Sequence, residues 1–207
     1  ELLDAAIGAA GGGGTVQGTF QTYDIQAAAV NGVAPTGVAE QTVDLQTSRG
    51  LVDNTTQEQL ATISGGTNNR VQSYASTISG GIGNKILEPN SSLSSYSTIS
   101  GGGSNTITSS SGYARGCTIS GYDNGIDGAD YAAISGGFQN SIGTNSDYST
   151  VSGGDGNLIN TTSSGSRNVV GGGDSNAIQG SYGFIGGGQS NLITTGSSHT
   201  VIAGGNN

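Results

Sequence analysis

The stretch that decides the fold is TISGGGSNTI, residues 98–107. It opens on a Thr-Ile pair, turns through glycines, and closes on Asn-Thr-Ile. TISGGIGNKI (77–86) stands ahead of it; VSGGDGNLI (151–159), VGGGDSNAI (170–178) and IGGGQSNLI (185–193) follow. Aligned, the copies obey one rule: [IV]-[SG]-G-G-x-x-N-x-[IV]. The first anchors are Ile63, Ile78, Ile99, Ile119, Ile134, Val151, Val170, Ile185 and Ile202. The second anchors are Val71, Ile86, Ile107, Ile126, Ile142, Ile159, Ile178 and Ile193, and before them stand Asn69, Asn84, Asn105, Asn124, Asn140, Asn157, Asn176 and Asn191. The ninth copy stops at Asn207 before it closes. In the copy around Ile119 a glycine is missing (ISGYDNGI), so Asn124 comes one residue early.

Inside the phrase the spacing is rigid. Between phrases it is elastic: first anchors lie 15, 21, 20, 15, 17, 19, 15 and 17 residues apart. Fixed phrases with variable spacers mark a solenoid, in which each phrase is part of one coil and the spacers leave as loops. Side chains alternate faces along a strand, so Ile99 and Ile107 point to one interior from either side of a glycine corner. Glycine adopts positive φ without strain and leaves room for the next coil. Stacking then places Asn84 over Asn105 in a ladder of amide bonds, with the aliphatic anchors stacked beside it. At ~4.8 Å per step, eight coils make a rod of about 38 Å.

Composition agrees. The chain has 40 glycines and 2 prolines among 207 residues, and only 9% charged residues, against about 25% in an ordinary globular domain. Ile, Val, Thr, Ser, Asn and Gly dominate, a mixture suited to short strands and tight turns rather than to disorder. The formal charge of −9, with Arg49, Arg70, Lys85, Arg115 and Arg167 as the basic residues, leaves no basic face for nucleic acid or for an anionic membrane. No apolar run approaches the ~20 residues of a membrane helix. Cys117 is alone, so no internal disulfide is expected, and its place just before Ile119 predicts a small buried side chain. A start at Glu1 is read as a processed form or a fragment from which a signal peptide has been lost.

A second regularity lies outside the phrase. Three residues before the first anchor stand Tyr96, Tyr131, Tyr148 and Tyr182, with Arg167 and His199 in the same slot and Tyr74 and Tyr113 slightly upstream. Such rings fill an interface or cap a small core; alternatively they form a stripe that stacks on sugars. Two aliphatic anchors are a thin core for the roughly 17 residues that each coil must order. Packing of several copies supplies the missing apolar burial, so a homotrimer, intertwined or side by side about a three-fold axis, is expected.

Three chemistries were weighed. Asp123, Asp127 and Asp130 cluster in YDNGIDGAD, but Gly125 and Ile134 stand where an EF-hand needs its third and twelfth ligands, so no metal is assigned there. His199 is the sole histidine; Ser197 and Ser198 beside it do not make a catalytic triad. Glu88, Asp147, Asp155 and Asp174 are scattered without the repeated pair of a glycosidase. The expectation is therefore no enzyme and no cofactor. Threonine-bearing solenoid faces can order water, which keeps an ice-binding role as an alternative; residues 106–108 (TIT) fit, without a repeated Thr-x-Thr ladder.

Residues 1–61 do not carry the phrase. Residues 1–10 suit a short helix, residues 11–14 a glycine joint closing an N-terminal anchor over 1–14, residues 15–26 a strand, and residues 30–37 a loop. Residues 15–61 are read as an attachment region and 62–207 as the repeat domain. TVDLQTSR (42–49) followed by ATISGG, STISGG and YSTVSGG resembles the predicted fibre proteins of tailed bacteriophages, in which a VDLQ segment precedes arrays of STISGG-x-x-N phrases. More loosely, the array is similar to the trimeric β-roll head of autotransporter adhesins, whose repeat is shorter, more regular and richer in Ala-Ile-Gly. The resemblance implies an extracellular fibre on a virion, on tail or capsid, joined to a larger virion component through residues 1–61. It would contact a cell-surface glycan or protein receptor through its longest spacers, residues 87–98 and 108–118. A bacterial surface adhesin or filament subunit is the alternative.

Overall fold

The computed structural model describes residues 43–44, 60–87, 96–110, 113–163 and 166–207. The expected N-terminal helix, glycine joint, strand and loop, and the middles of the two longest spacers with Glu88, lie outside these residues. Among the described residues every regular element is a strand of two or three residues, and no helix is long and apolar enough to cross a membrane.

The strands alternate between two parallel sheets. The ten-stranded sheet runs Val43–Asp44, Thr62–Ile63, Thr77–Ile78, Thr98–Ile99, Thr118–Ile119, Ala133–Ile134, Thr150–Val151, Val169–Val170, Phe184–Ile185 and Val201–Ile202. The eight-stranded sheet runs Arg70–Gln72, Lys85–Leu87, Thr106–Thr108, Gly125–Asp127, Ser141–Ile142, Leu158–Ile159, Ala177–Ile178 and Leu192–Ile193. Each phrase supplies one strand to each sheet and each spacer leads back, so the chain winds a β-solenoid of about eight turns. The strands are short because a two-residue strand suffices to present one anchor inward before the chain must turn.

Register follows the phrase. Ile78 pairs with Ile99, Ile99 with Ile119 and Ile119 with Ile134 in one sheet; Ile86 pairs with Ile107 and Ile107 with Ile126 in the other. Anchors from Ile63 to Ile193 are buried, and Ile202 is partly buried against them. The large side chains of the core are thus two facing single files of Ile and Val, joined by small residues such as Ala114 and Ala129. A third buried column lies two residues before the first anchors: Ala61, Ser76, Ser97, Cys117, Ala132, Ser149 and Asn168. Cys117 is buried there as expected. Its amide donates to Ser97 Oγ at 3.2 Å and its thiol to the Ala129 carbonyl at 2.9 Å.

The shortened copy keeps the register. Asn124 sits in line although it is one residue early, because Ser120 alone spans the step that Ser100 and Gly101 span in the coil before, and Gly121 stacks on Gly102. At the other end, Val43 pairs with Thr62 and Asp44 with Ile63. Residues 43–44 therefore add a strand to the N-terminal edge of the ten-stranded sheet and cover an edge open to non-native pairing.

Candidate recognition surfaces of the solenoid

The glycine-asparagine corner is the scaffold. Asn105 is fully buried. Its Nδ2 donates to the carbonyls of Gly101 at 3.1 Å and Gly121 at 2.8 Å and to Asn84 Oδ1 at 3.0 Å; its backbone amide also donates to Asn84 Oδ1 at 3.1 Å. The backbone amides of Asn84, Asn124, Asn140, Asn157, Asn176 and Asn191 likewise donate to the Oδ1 of the asparagine one coil back, and at Asn140, Asn157, Asn176 and Asn191 the side-chain amide donates to it as well. The glycine at the turn of the corners from Gly66 to Gly188 has φ near +90°, and a Cβ on Gly81 or Gly102 would lie inside 3.0 Å of the next coil's glycine backbone. Coil spacing here is set by bare backbone.

Beyond that corner the chain forms a column that is exposed except at Thr67 and Gly103. One bridge position per coil, Thr67, Ile82, Gly103, Tyr122, Phe138, Asp155, Asp174 and Gln189, pairs in parallel with its neighbours along the rod. Tyr122 and Phe138 stack at 5.9 Å and both are exposed. The residue after each bridge is left-handed, as at Ser104 (φ 57°), Asp123 (56°) and Ser175 (56°), and its amide turns back to the preceding coil: Ser104 to the Ile82 carbonyl, Asp123 to Gly103, Ser175 to Asp155.

The tyrosine slot uses the same device on the other side of the strand. Leu60, Ala75, Tyr96, Gly116, Tyr131, Tyr148, Tyr182 and His199 all have φ between 50° and 68°. The amide of Tyr131 donates to the Arg115 carbonyl at 2.7 Å, that of Tyr148 to Asp130 at 2.8 Å and that of His199 to Ser181 at 3.1 Å. Left-handed backbone costs a residue with a Cβ about 1–2 kcal/mol; the axial hydrogen bond and ring stacking offset it. Tyr131 and Tyr148 stack at 5.2 Å, the Arg167 guanidinium lies 5.1 Å from the Tyr148 ring centroid, and Tyr182 and His199 stack at 4.8 Å. Tyr74 meets Tyr96 edge-on at 6.0 Å, and Arg115 covers Tyr113. Tyr131 and Tyr148 are half-exposed and Tyr96 is 68% exposed, while Tyr113 and Tyr182 are somewhat less open. Both faces of Tyr148 are occupied, by Tyr131 and Arg167, so this part of the column offers ring edges and hydroxyls to a partner. Spacing in the sequence located the slot, but tyrosine gives no hint of positive φ; Gly116 in the same slot was the available sign.

The structure separates the three aspartates. Asp123 accepts a bond from Gln139 Nε2 at 3.0 Å on the exposed corner. Asp127 ends a strand; burial alone would raise its pKa, but the Ser110 hydroxyl and amide and the Thr108 hydroxyl all donate to it and hold it below the ordinary value. Asp130 takes the Arg115 side chain at 3.1 Å (Nε) and 2.5 Å (Nη2). That contact, against the cost of burial, keeps the guanidinium pKa above its ordinary value. Among the described residues no three His, Cys, Asp or Glu side chains gather as a metal site. His199 Nδ1 lies 2.7 Å from Ser198 Oγ, an exposed contact between adjacent residues.

One face escaped the sequence reading. Thr62, Thr77, Thr98, Thr118 and Thr150 stand in one row on the ten-stranded sheet, broken by Ala133. Ser64, Ser79, Ser100, Ser120, Ser135 and Ser152 follow the same anchors. A Thr-x-Ser pattern therefore repeats along this face in place of a Thr-x-Thr ladder, and it gives way to Val169, Phe184 and Val201 in the last coils. No protein-family model matches the chain, and no curated protein matches it.

Proposed function

We propose that the chain is the shaft of a virion fibre of a tailed phage: a structural and adhesive protein, not an enzyme, assembled as a side-by-side homotrimer. Residues 1–61 join it to a larger virion component, and spacer loops touch a glycan or protein receptor on the host surface. One observation carries the reading. The anchors stay in unbroken register while the intervals between them vary from 15 to 21 residues. Stiffness and variable display are thus divided between coil and loop, as an adhesive rod requires. The fibre assignment also draws on the resemblance of TVDLQTSR and the STISGG phrases, and avidity from three copies would multiply weak loop contacts. Immunogold labelling with an antibody against residues 62–207 tests it. Label on virion appendages is expected; label confined to bacterial envelopes would replace the fibre with a surface adhesin.

The Thr-x-Ser face favours a second reading, a surface that orders water against ice. Thermal hysteresis of the purified chain decides it: a gap between melting and freezing that Thr98→Tyr abolishes would support ice binding, and no gap would remove it.

A further inference from the structure

Two columns flank the ten-stranded sheet, one at each end of its strands. Tyr131 and Phe138 belong to one coil, Tyr148 and Asp155 to the next, Arg167 and Asp174 to the one after. The two columns therefore match height for height: aromatic beside aromatic, then tyrosine and arginine on one side level with two aspartates on the other. Among the described residues the Arg167 guanidinium has only the Tyr148 ring as partner, and the Asp155 carboxylate has none. Asp174 accepts bonds only from Ser175 Oγ at 2.6 Å and Gln189 Nε2 at 2.9 Å, both neutral donors.

We propose that neighbouring copies of this chain dock parallel and level, the Tyr131–Tyr148–Arg167 column of one against the Phe138–Asp155–Asp174 column of the next. The inference rests on the homotrimer reading and specifies its contact. A closed three-fold ring needs two different, complementary patches on each copy, whereas a two-fold dimer needs one self-complementary patch. The two columns supply that pair. Copies carrying −9 each repel one another, so the contact must bring opposite charges together; the Tyr-Arg column places its cation level with Asp174 and one coil from Asp155. Tyrosine and arginine are the residue types that dominate interface energetics. Occupied ring faces do not hinder this use, because edges, hydroxyls and the rim of the guanidinium remain to meet a protein surface.

The test is light scattering on the full 207-residue chain over a range of concentrations, with circular dichroism to verify folding. Arg167→Glu should raise the concentration at which the trimer dissociates by about tenfold or more, and so should Asp155→Arg with Asp174→Arg. All three changes together should restore assembly, a rescue that a misfolded chain cannot show. A wild-type trimer indifferent to both charge reversals would overturn the pairing of the two columns and leave the trimer standing. A wild type of one or two chains at every concentration would overturn the trimer and the pairing together.

Discussion

Asn105 and Asn84, 21 residues apart in sequence, share one carbonyl oxygen: both the backbone amide and the side-chain amide of Asn105 donate to Asn84 Oδ1, at 3.1 and 3.0 Å. The remaining contacts of the Asn105 amide hold the glycine carbonyls of its own coil and of the next. Asn105→Ala removes the three bonds its side-chain amide donates and leaves the buried Asn124 backbone amide without the Asn105 Oδ1 that accepts from it, and should cost roughly 3 kcal/mol. Asn105→Asp should cost more, because it sets a carboxylate against two carbonyl oxygens. Urea unfolding of both variants checks the order.

Glycines of one corner are not equivalent. Gly102 has φ +92°, and a Cβ there meets the Gly121 carbonyl, which cannot move without shifting its coil. Gly136 has open space around its Cβ position. We expect Gly102→Ala to destabilise by roughly 3 kcal/mol, from overpacking and left-handed strain together. Gly136→Ala should be neutral or stabilise by up to about 1 kcal/mol, through the entropy of the unfolded chain. Thermal melts of the pair should therefore move in different directions or by very different amounts.

Tyr182 stacks on His199 at the expense of φ 55°. Tyr182→Gly removes a stack worth about 0.5–1.5 kcal/mol and relieves backbone strain of about 1–2 kcal/mol, so stability should change by less than about 1 kcal/mol. Tyr182→Val loses the stack and puts a β-branched residue where the backbone least tolerates one. It should be clearly the less stable variant in denaturant.

Asp127 titrates below its ordinary value of 3.8 in the folded chain. A depressed carboxylate contributes stability above its unfolded pKa and loses it as the pH falls through the folded one. The Asp127→Asn variant should therefore melt below the wild type near pH 6, with the gap closing as the pH falls below about 4. A gap that stays constant down to pH 2.5 would show that Ser110 and Thr108 do not depend on the charge.

Much of the architecture was legible in the residues. The [IV]-[SG]-G-G-x-x-N-x-[IV] phrase determined the coil, the inward anchors, the asparagine ladder and the buried place of Cys117, because each depends on spacing inside one short segment: side chains alternate in a strand, and only glycine fits a corner where backbone meets backbone. Other features needed the stacked coils. The sequence could not reveal that Tyr131 and Tyr148 are left-handed, because the gain comes from a carbonyl and a ring in a different coil. Nor could it pull Asp123, Asp127 and Asp130 apart onto separate partners. Spacers of unequal length hide from the linear chain which residues become neighbours along the rod; that adjacency is created only when parallel strands fix the register. Local pattern thus determined what each coil is, and tertiary stacking decided which side chains the coils bring together.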